Sequence, residues 1–140
     1  MKGETGRVPG QTRDTGFQIG VRRALPLSPE EAWRLVTSPA GVRAWLGEGA
    51  GVEWERGRAY SLADGTAGEV RVVNPGSHVR LTWRPAGWER ASLIQVRVLP
   101  AARGATLSFH QEHLPDAAAR ERRRGHFAAA LDALERLAAG

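Results

Sequence analysis

Alternation of apolar and polar residues predicts a sheet that takes up most of the chain. Phe17, Ile19 and Val21 alternate with polar or small residues, which is the pattern of a half-buried strand that runs to about residue 25. The same alternation predicts further strands at 52–55, 59–62, 68–73, 78–84, 91–99 and 105–110. Because short turns such as Asp64-Gly65 join most of these strands, we expect them to be antiparallel.

The two shortest predicted strands are expected to form a hairpin of their own. Segments 52–55 and 59–62 are separated only by Arg56-Gly57-Arg58. In the last predicted strand, Ala105, Leu107 and Phe109 should face inward, and the alternate residues, His110 included, should face outward.

Two short helices are predicted directly after the first strand. Ser28 is a favoured N-cap, Pro29 suits the first helical position, and Glu31 can complete a capping box. This helix should stop before Ser38-Pro39, and a second short helix should follow over about 40–46.

The longest predicted helix closes the chain. It spans Asp116–Ala139, with Asp116 as the N-cap after Leu114-Pro115. Its apolar residues recur three and four apart, at Phe127, Ala130, Leu131, Leu134, Leu137 and Ala138. Such a stripe must pack on something, and we expect it to cover one face of the sheet.

Composition and length indicate one domain over residues 17–140. The chain has 140 residues, and residues 1–16 lack apolar periodicity and are expected to form a flexible leader. There is no cysteine, which excludes disulfides, thiol nucleophiles and cysteine metal sites. No apolar run is long enough to span a membrane, so we expect a cytoplasmic protein with no membrane partner.

The basic charge has little bearing on function. The formal net charge is +5, but arginines occur in every predicted element instead of gathering on one face, and we therefore expect no nucleic-acid partner.

The quoted elements resemble a known superfamily. Residues 28–39 together with Ala44-Trp45-Leu46 resemble the opening of the START-like, birch-pollen-allergen-like (SRPBCC) superfamily. Residues 104–115, with Gly125-His126-Phe127 and 131–134, resemble its branch grouped with the activator of the heat-shock protein 90 ATPase. Many members of that branch have Gly-Trp where this chain has Gly125-His126.

The resemblance implies an α+β helix-grip fold. In this fold a curved antiparallel sheet, here of about seven strands, wraps around the long C-terminal helix and leaves a cavity between them. Members include ligand carriers, aromatase/cyclases, ring-hydroxylating oxygenase domains and chaperone regulators, so the fold alone does not determine the function.

A set of large apolar side chains is expected to line that cavity or, alternatively, to fill it as core. Its members are Trp33, Trp45, Trp54, Tyr60, Leu81, Trp83, Ile94, Phe109, Phe127 and Leu131. Apolar walls with a few polar groups are typical of ligand pockets, and flat aromatic rings can also stack on a planar ligand.

No residue pattern identifies a catalytic centre, a metal site or a cofactor site. His110 and His113 are three apart in an extended segment and so face opposite sides. No serine lies in a nucleophile elbow, and no glycine loop precedes a helix as phosphate-binding loops do. His126 is either a packed or surface histidine or a general base at the cavity rim.

A cluster of arginines marks the first half of the long helix. It consists of Arg120, Arg122, Arg123 and Arg124. It is either a solvated face or a docking patch for an acidic partner, for which Arg120, Arg123 and Arg124 are the candidates.

Three functions follow from these patterns. The first is non-catalytic binding of a small hydrophobic or aromatic ligand, as a carrier or sensor. The second is regulation of a protein partner, as in the chaperone-activator branch. The third is a cyclase-like or hydrolytic enzyme that uses Tyr60, His126 or an arginine. The protein is expected to be a monomer or a homodimer.

Overall fold

One antiparallel sheet and three helices make up the fold. The computed structural model of the chain describes residues 11–12, 16–49 and 51–140. Across these residues, the strands are β1 (Gln11–Thr12), β2 (Gly16–Leu25), β3 (Ala59–Ser61), β4 (Ala67–Asn74), β5 (His78–Trp83), β6 (Ser92–Ala101) and β7 (Gly104–Leu114). The helices are α1 (Pro29–Thr37), α2 (Pro39–Trp45) and α3 (Ala117–Ala139).

The sheet order brings the beginning and the end of the domain together. The seven strands lie in the order β1-β2-β7-β6-β5-β4-β3, and each neighbouring pair is antiparallel. The core lies between the inner face of this sheet and the helices. The predicted helix-grip fold is confirmed.

Local capping explains the two short helices. The Ser28 hydroxyl accepts a hydrogen bond from the Glu31 amide at 3.1 Å, and the Glu31 carboxylate accepts one from the Ser28 amide at 2.9 Å, which is the predicted capping box. Ser38 ends α1 and caps α2, because its hydroxyl accepts from the Gly41 amide. The turn between the helices lets the Trp45 indole donate to the Val36 carbonyl at 2.8 Å.

The buried face of α3 lies further toward its N-terminus than the sequence pattern predicts. Its buried residues are Ala119, Arg123, Phe127, Ala130, Leu131 and Leu134. Leu137, assigned to the same stripe, is 42% exposed. The buried stripe therefore ends at Leu134, and toward the N-terminus it extends through Arg123 to Ala119.

The predicted hairpin of 52–55 with 59–62 is wrong. Residues 52–55 form no strand, and Ala59–Ser61 pairs with β4. The alternation in 52–55 has another cause, since Val52 and Trp54 pack against the core and the Trp54 indole donates to the Thr37 carbonyl at the end of α1.

At its N-terminal end the described chain adds a strand that the leader prediction did not include. Gln11–Thr12 pairs with the beginning of β2. The rest of the predicted leader, residues 1–10 and 13–15, lies outside the described residues.

Strand β7 is longer than predicted and contains a bulge. The inward positions of Ala105, Leu107 and Phe109 continue to Gln111, which is fully buried. His113 then takes a positive φ of 66°, and the pairing with β2 shifts register at this point. The bulge turns Leu114 inward.

Candidate functional site

The structure brings the ten predicted cavity residues into one apolar cluster between the sheet and the helices. Trp33 and Trp54 are partly buried, and the other eight are buried. The buried ones are Trp45, Tyr60, Leu81, Trp83, Ile94, Phe109, Phe127 and Leu131. Ligand contact by these residues stays a prediction.

Aromatic rings form a continuous layer through this cluster. Trp54 stacks on Trp45 at 6.1 Å between ring centroids, and Trp45 lies 5.8 Å from Phe109. Phe109 stacks in turn on Phe127 at 5.0 Å, with the ring planes 14° apart. The layer thus joins the segment after α2 to the middle of α3.

Arg123 lies at the end of the aromatic layer. It is only 9% exposed, and its guanidinium carbon is 3.9 Å from the Trp83 ring centroid and 4.9 Å from that of Phe127. Such contacts between a cation and aromatic rings are attractive, and more so where water is excluded.

A chain of hydrogen bonds fixes the guanidinium. Arg123 Nε donates to Gln111 Oε1 at 2.9 Å, and Gln111 Nε2 donates to Ser92 Oγ at 2.8 Å. Ser92 Oγ donates to the Trp83 carbonyl, also at 2.8 Å. The chain orients the Gln111 amide so that its oxygen faces the arginine.

Two buried N–H groups at this place have no acceptor among the described residues. They are Arg123 Nη2 and Trp83 Nε1, on side chains that contact one another. Leaving a buried donor unpaired costs about 1–3 kcal/mol, and more for a charged group. Buried polar groups in folded proteins are nearly always hydrogen-bonded, so this pair is an exception, and Arg97 Nε on β6 is a third such donor among the described residues.

Burial also acts on the charges of this cluster. It lowers the pKa of Arg123 to about 10, with partial compensation from Tyr60 and Asp64, and the guanidinium is therefore charged at neutral pH. Burial raises the pKa of Tyr60, against the opposing effect of the Arg123 charge. Tyr60 is a neutral phenol, and its hydroxyl donates to the Thr82 carbonyl.

His126 lies about one helical turn after Arg123 on α3. Its ring packs edge-on against the Phe127 ring, with 5.2 Å between the ring centroids. Its Nε2 carries the hydrogen, because it donates to the Trp45 carbonyl at 2.7 Å. The proposed acid–base groups Tyr60 and His126 are thus each bound to a different backbone carbonyl. Burial lowers the pKa of His126, and the Arg123 charge lowers it further.

The lowered pKa of His126 predicts a loss of stability in mild acid. Below the ordinary histidine pKa of about 6.5, His126 is protonated in the unfolded chain but remains neutral in the folded protein. The free energy of unfolding therefore decreases as the pH is lowered. His126→Gln keeps a donor for the Trp45 carbonyl and removes the titration. Urea unfolding between pH 7.5 and 5.5 should show a smaller pH dependence in this variant.

An unchanged pH dependence in His126→Gln would contradict this assignment. His78 also has a pKa lowered by burial and by Arg97 and Arg80, and it supplies the dependence that remains in the variant.

The arginine cluster of α3 divides between interior and surface. Arg123 faces the core, whereas Arg122 and Arg124 are exposed. Arg120 lies over the Phe17 ring at 5.6 Å and, like Arg124, pairs with Glu121. Arg123 therefore does not belong to a surface docking patch with the other two candidates.

A surface pocket of about 430 Å³ lies elsewhere, beside α2. It is lined by Thr37, Pro39, Val42, Arg43, Glu48, Gly49, Gly51 and Val52. None of the ten predicted cavity residues lines it, so it is a different place from the predicted ligand site.

The described part of the chain contains neither a cluster of metal-ligating side chains nor a membrane-spanning helix. No group of three or more His, Asp or Glu side chains there is arranged to hold a metal ion. No helix in that part combines the length and the hydropathy needed to cross a membrane.

Comparison with known proteins relates this arrangement to one family. A family model described as Activator of Hsp90 ATPase homolog 1-like protein matches residues 26–139. The mouse protein called Activator of 90 kDa heat shock protein ATPase homolog 1 is 31% identical over 72 residues, which are 51% of this chain and 21% of the mouse protein. The human protein of the same name matches to the same extent. The matched segment is therefore only about a fifth of these curated relatives.

Solved structures show the same fold. Protein MLL2253 from Mesorhizobium loti superposes with a TM-score of 0.74 at 24% identity, covering 86% of this chain and 95% of that one. PFC0360w, an HSP90 activator from Plasmodium falciparum, superposes with a TM-score of 0.71 at 17% identity, covering 87% of this chain and 96% of that one.

Proposed function

The chain belongs to the family of Activator of Hsp90 ATPase homolog 1-like proteins, and within this fold we propose that it binds a small, largely apolar molecule between the sheet and α3. The observation that carries the proposal is the pair of buried donors, Arg123 Nη2 and Trp83 Nε1, that lack an acceptor among the described residues. A ligand with an acceptor group would satisfy both, and the surrounding rings would bury its apolar part.

Entry of the ligand requires a local movement near Trp83. The segment 84–91 between β5 and β6 places Trp88 edge-on against Trp83, with 5.4 Å between ring centroids. Trp88 is only partly buried, and its carbonyl is held by an exposed Arg84 side chain at 2.6 Å. Displacement of Trp88 would open the end of the core where both free donors lie, and connecting segments of this kind move most easily.

We propose a carrier or sensor that acts in the cytoplasm, and the polar groups described above support binding without catalysis. Tyr60 and His126 each donate to a backbone carbonyl on a different element. A general acid or base must instead reach the reacting group.

Native mass spectrometry and a thermal-shift screen would test this function. We expect a small molecule to be retained during purification, or planar aromatics or fatty acids to raise Tm progressively with ligand concentration, since a ligand that binds only the folded state stabilises it by mass action. A bare protein mass together with an unchanged Tm across the whole panel would contradict the proposal.

The family membership supports a second candidate, regulation of a chaperone ATPase through direct contact. The curated relatives are named as activators of such an ATPase, and the first half of α3 exposes Arg122 and Arg124. These side chains could contact an acidic surface on the ATPase, in a salt-dependent manner.

Charge reversal would test this second candidate. The protein should stimulate the ATP hydrolysis of a heat-shock protein 90 at low salt, and Arg122→Glu with Arg124→Glu should reduce that stimulation. Arg136→Glu, at the exposed far end of the same helix, is the matched control and should have no effect. Absence of stimulation by the unaltered protein would exclude the candidate.

A further inference from the structure

The positive charge of Arg123 has no anionic partner close to it. No carboxylate of the described residues lies within 4.0 Å of its guanidinium, although five other arginines form such pairs. Its hydrogen bond goes to the neutral amide of Gln111. A buried charge without a partner is strongly unfavourable, and a neutral acceptor would leave that charge uncompensated.

Asp64 is the acid whose charge acts on Arg123, but its carboxylate makes its hydrogen bond to a different residue. Asp64 lies in the turn before β4 and is exposed, and its carboxylate accepts from the Thr66 amide at 2.9 Å. Tyr60 is neutral and donates its proton to the Thr82 carbonyl. Asp64 therefore acts on the guanidinium only from a distance, without a direct ion pair, and Tyr60 adds no negative charge.

The guanidinium is held ready for an incoming group. Gln111 takes the Nε–H, and the Trp83 and Phe127 rings contact the guanidinium group. Nη2 thus remains as a donor whose position is fixed by four neighbouring side chains, when Ser92 behind Gln111 is included. A preorganised donor of this kind loses little conformational entropy on binding.

We propose that the ligand of this domain is an apolar monocarboxylic acid whose carboxylate accepts hydrogen bonds from Arg123 Nη2 and Trp83 Nε1. The inference rests on the proposed ligand-binding function and names the chemical class of the ligand. One guanidinium balances one negative charge. A phosphate dianion would need a second cation, and among the described residues Arg123 is the buried charged side chain of the core. The aromatic layer would bury the apolar body of the acid.

Two probes of nearly equal shape, one charged and one neutral, would show whether the site recognises the negative charge of the ligand. We would measure binding of 2-naphthoic acid and of 2-naphthamide at pH 7.5 by isothermal titration calorimetry. Hydrogen bonds to charged groups contribute about 1.5–3 kcal/mol, so the acid should bind about 10-fold to 100-fold more tightly than the amide.

Variants of the two donors would locate the effect. Arg123→Met keeps an unbranched, mostly apolar stem and removes the guanidinium with its charge, and it should abolish the preference for the acid. Trp83→Phe keeps a ring and removes the indole N–H, and it should weaken acid binding several-fold. Arg124→Met, on the exposed side of the same turn, is the control and should keep the preference. Circular dichroism would verify that each variant is folded.

The outcomes distinguish the inference from the function on which it rests. Equal affinity for acid and amide would overturn the inference and leave ligand binding standing. A preference for the acid that persists in Arg123→Met would also overturn it, because the carboxylate would then bind elsewhere. If neither probe nor any member of the thermal-shift panel binds, the proposed function fails and the inference fails with it.

Discussion

Replacing Phe127 by alanine is expected to lower the free energy of unfolding by about 3–5 kcal/mol, the range found when large aromatic residues are removed from cores. Phe127 is fully buried. It stacks on Phe109 at 5.0 Å, and it also contacts the Arg123 guanidinium and the His126 ring. The variant loses the transfer free energy of the ring, leaves a cavity, and removes a stacked aromatic pair.

Urea unfolding monitored by tryptophan fluorescence would measure this loss. Leu137→Ala on the same helix is the control, because Leu137 is 42% exposed and surface substitutions usually change stability by less than about 0.5 kcal/mol. If Phe127→Ala cost no more than Leu137→Ala, the buried face of α3 described above would be incorrect.

Gly68→Ala is expected to destabilise the protein by about 3 kcal/mol or more, because it overpacks a site where backbone would have to move. Gly68 pairs with Tyr60 between β4 and β3. A Cβ atom at Gly68 would lie 2.0 Å from the Thr82 carbonyl oxygen and 2.5 Å from the Tyr60 ring. That carbonyl accepts the hydrogen bond of the Tyr60 hydroxyl, so the methyl group would also disturb this bond.

A second glycine supplies a control with the opposite sign. Gly125 is exposed in the middle of α3, and apart from its chain neighbours and the backbone of its own helical turns no atom lies within 4 Å of the position that its Cβ would take. Gly125→Ala should therefore stabilise the helix by about 0.5–1 kcal/mol. Thermal unfolding of the two variants should move Tm in opposite directions, and a Gly68→Ala variant as stable as the parent protein would refute the described packing of Tyr60.

The fold could be predicted from the sequence because its signals are local. Ser28 and Ser38 each cap a helix by accepting a hydrogen bond from an amide three residues later. The buried positions alternate strictly along β6 from Ser92 to Val98 and along β7 from Ala105 to Gln111. The placement of residues 52–55 could not be predicted in this way. Alternation indicates that Val52 and Trp54 face the interior, where both are partly buried, but it does not indicate which element covers them.

Of the candidate site, the burial of the aromatic residues could be predicted from the sequence, but the buried polar residues were missed. The aromatic residues were found because large apolar side chains are usually buried. The sequence pattern groups Arg123 with its neighbours as a solvated face or a docking patch, although its spacing of four from both Ala119 and Phe127 is a usable signal of burial. The inward position of Gln111, two residues after Phe109, was a signal of the same kind.

Ser92 and the free donors had no signal in the sequence. Ser92 takes part because β6 places it where its hydroxyl meets both Gln111 and the Trp83 carbonyl. Whether a buried N–H finds an acceptor depends on contacts between distant segments, and alternation or spacing along the chain contains no information on this point.

The measurement that tests the ligand site most directly is NMR of the tryptophan indole N–H groups during titration with 2-naphthoate. The chain has five tryptophans, and two of them serve for comparison, because the Trp45 and Trp54 indoles already donate to the Val36 and Thr37 carbonyls. Trp83→Phe assigns the Trp83 signal. We predict that the Trp83 Nε1–H resonance moves downfield and saturates, together with the Arg123 Nε–H, and that the Trp45 and Trp54 signals move less, because their indole N–H groups keep their carbonyl acceptors. A Trp83 signal that does not respond at saturating ligand would contradict the account.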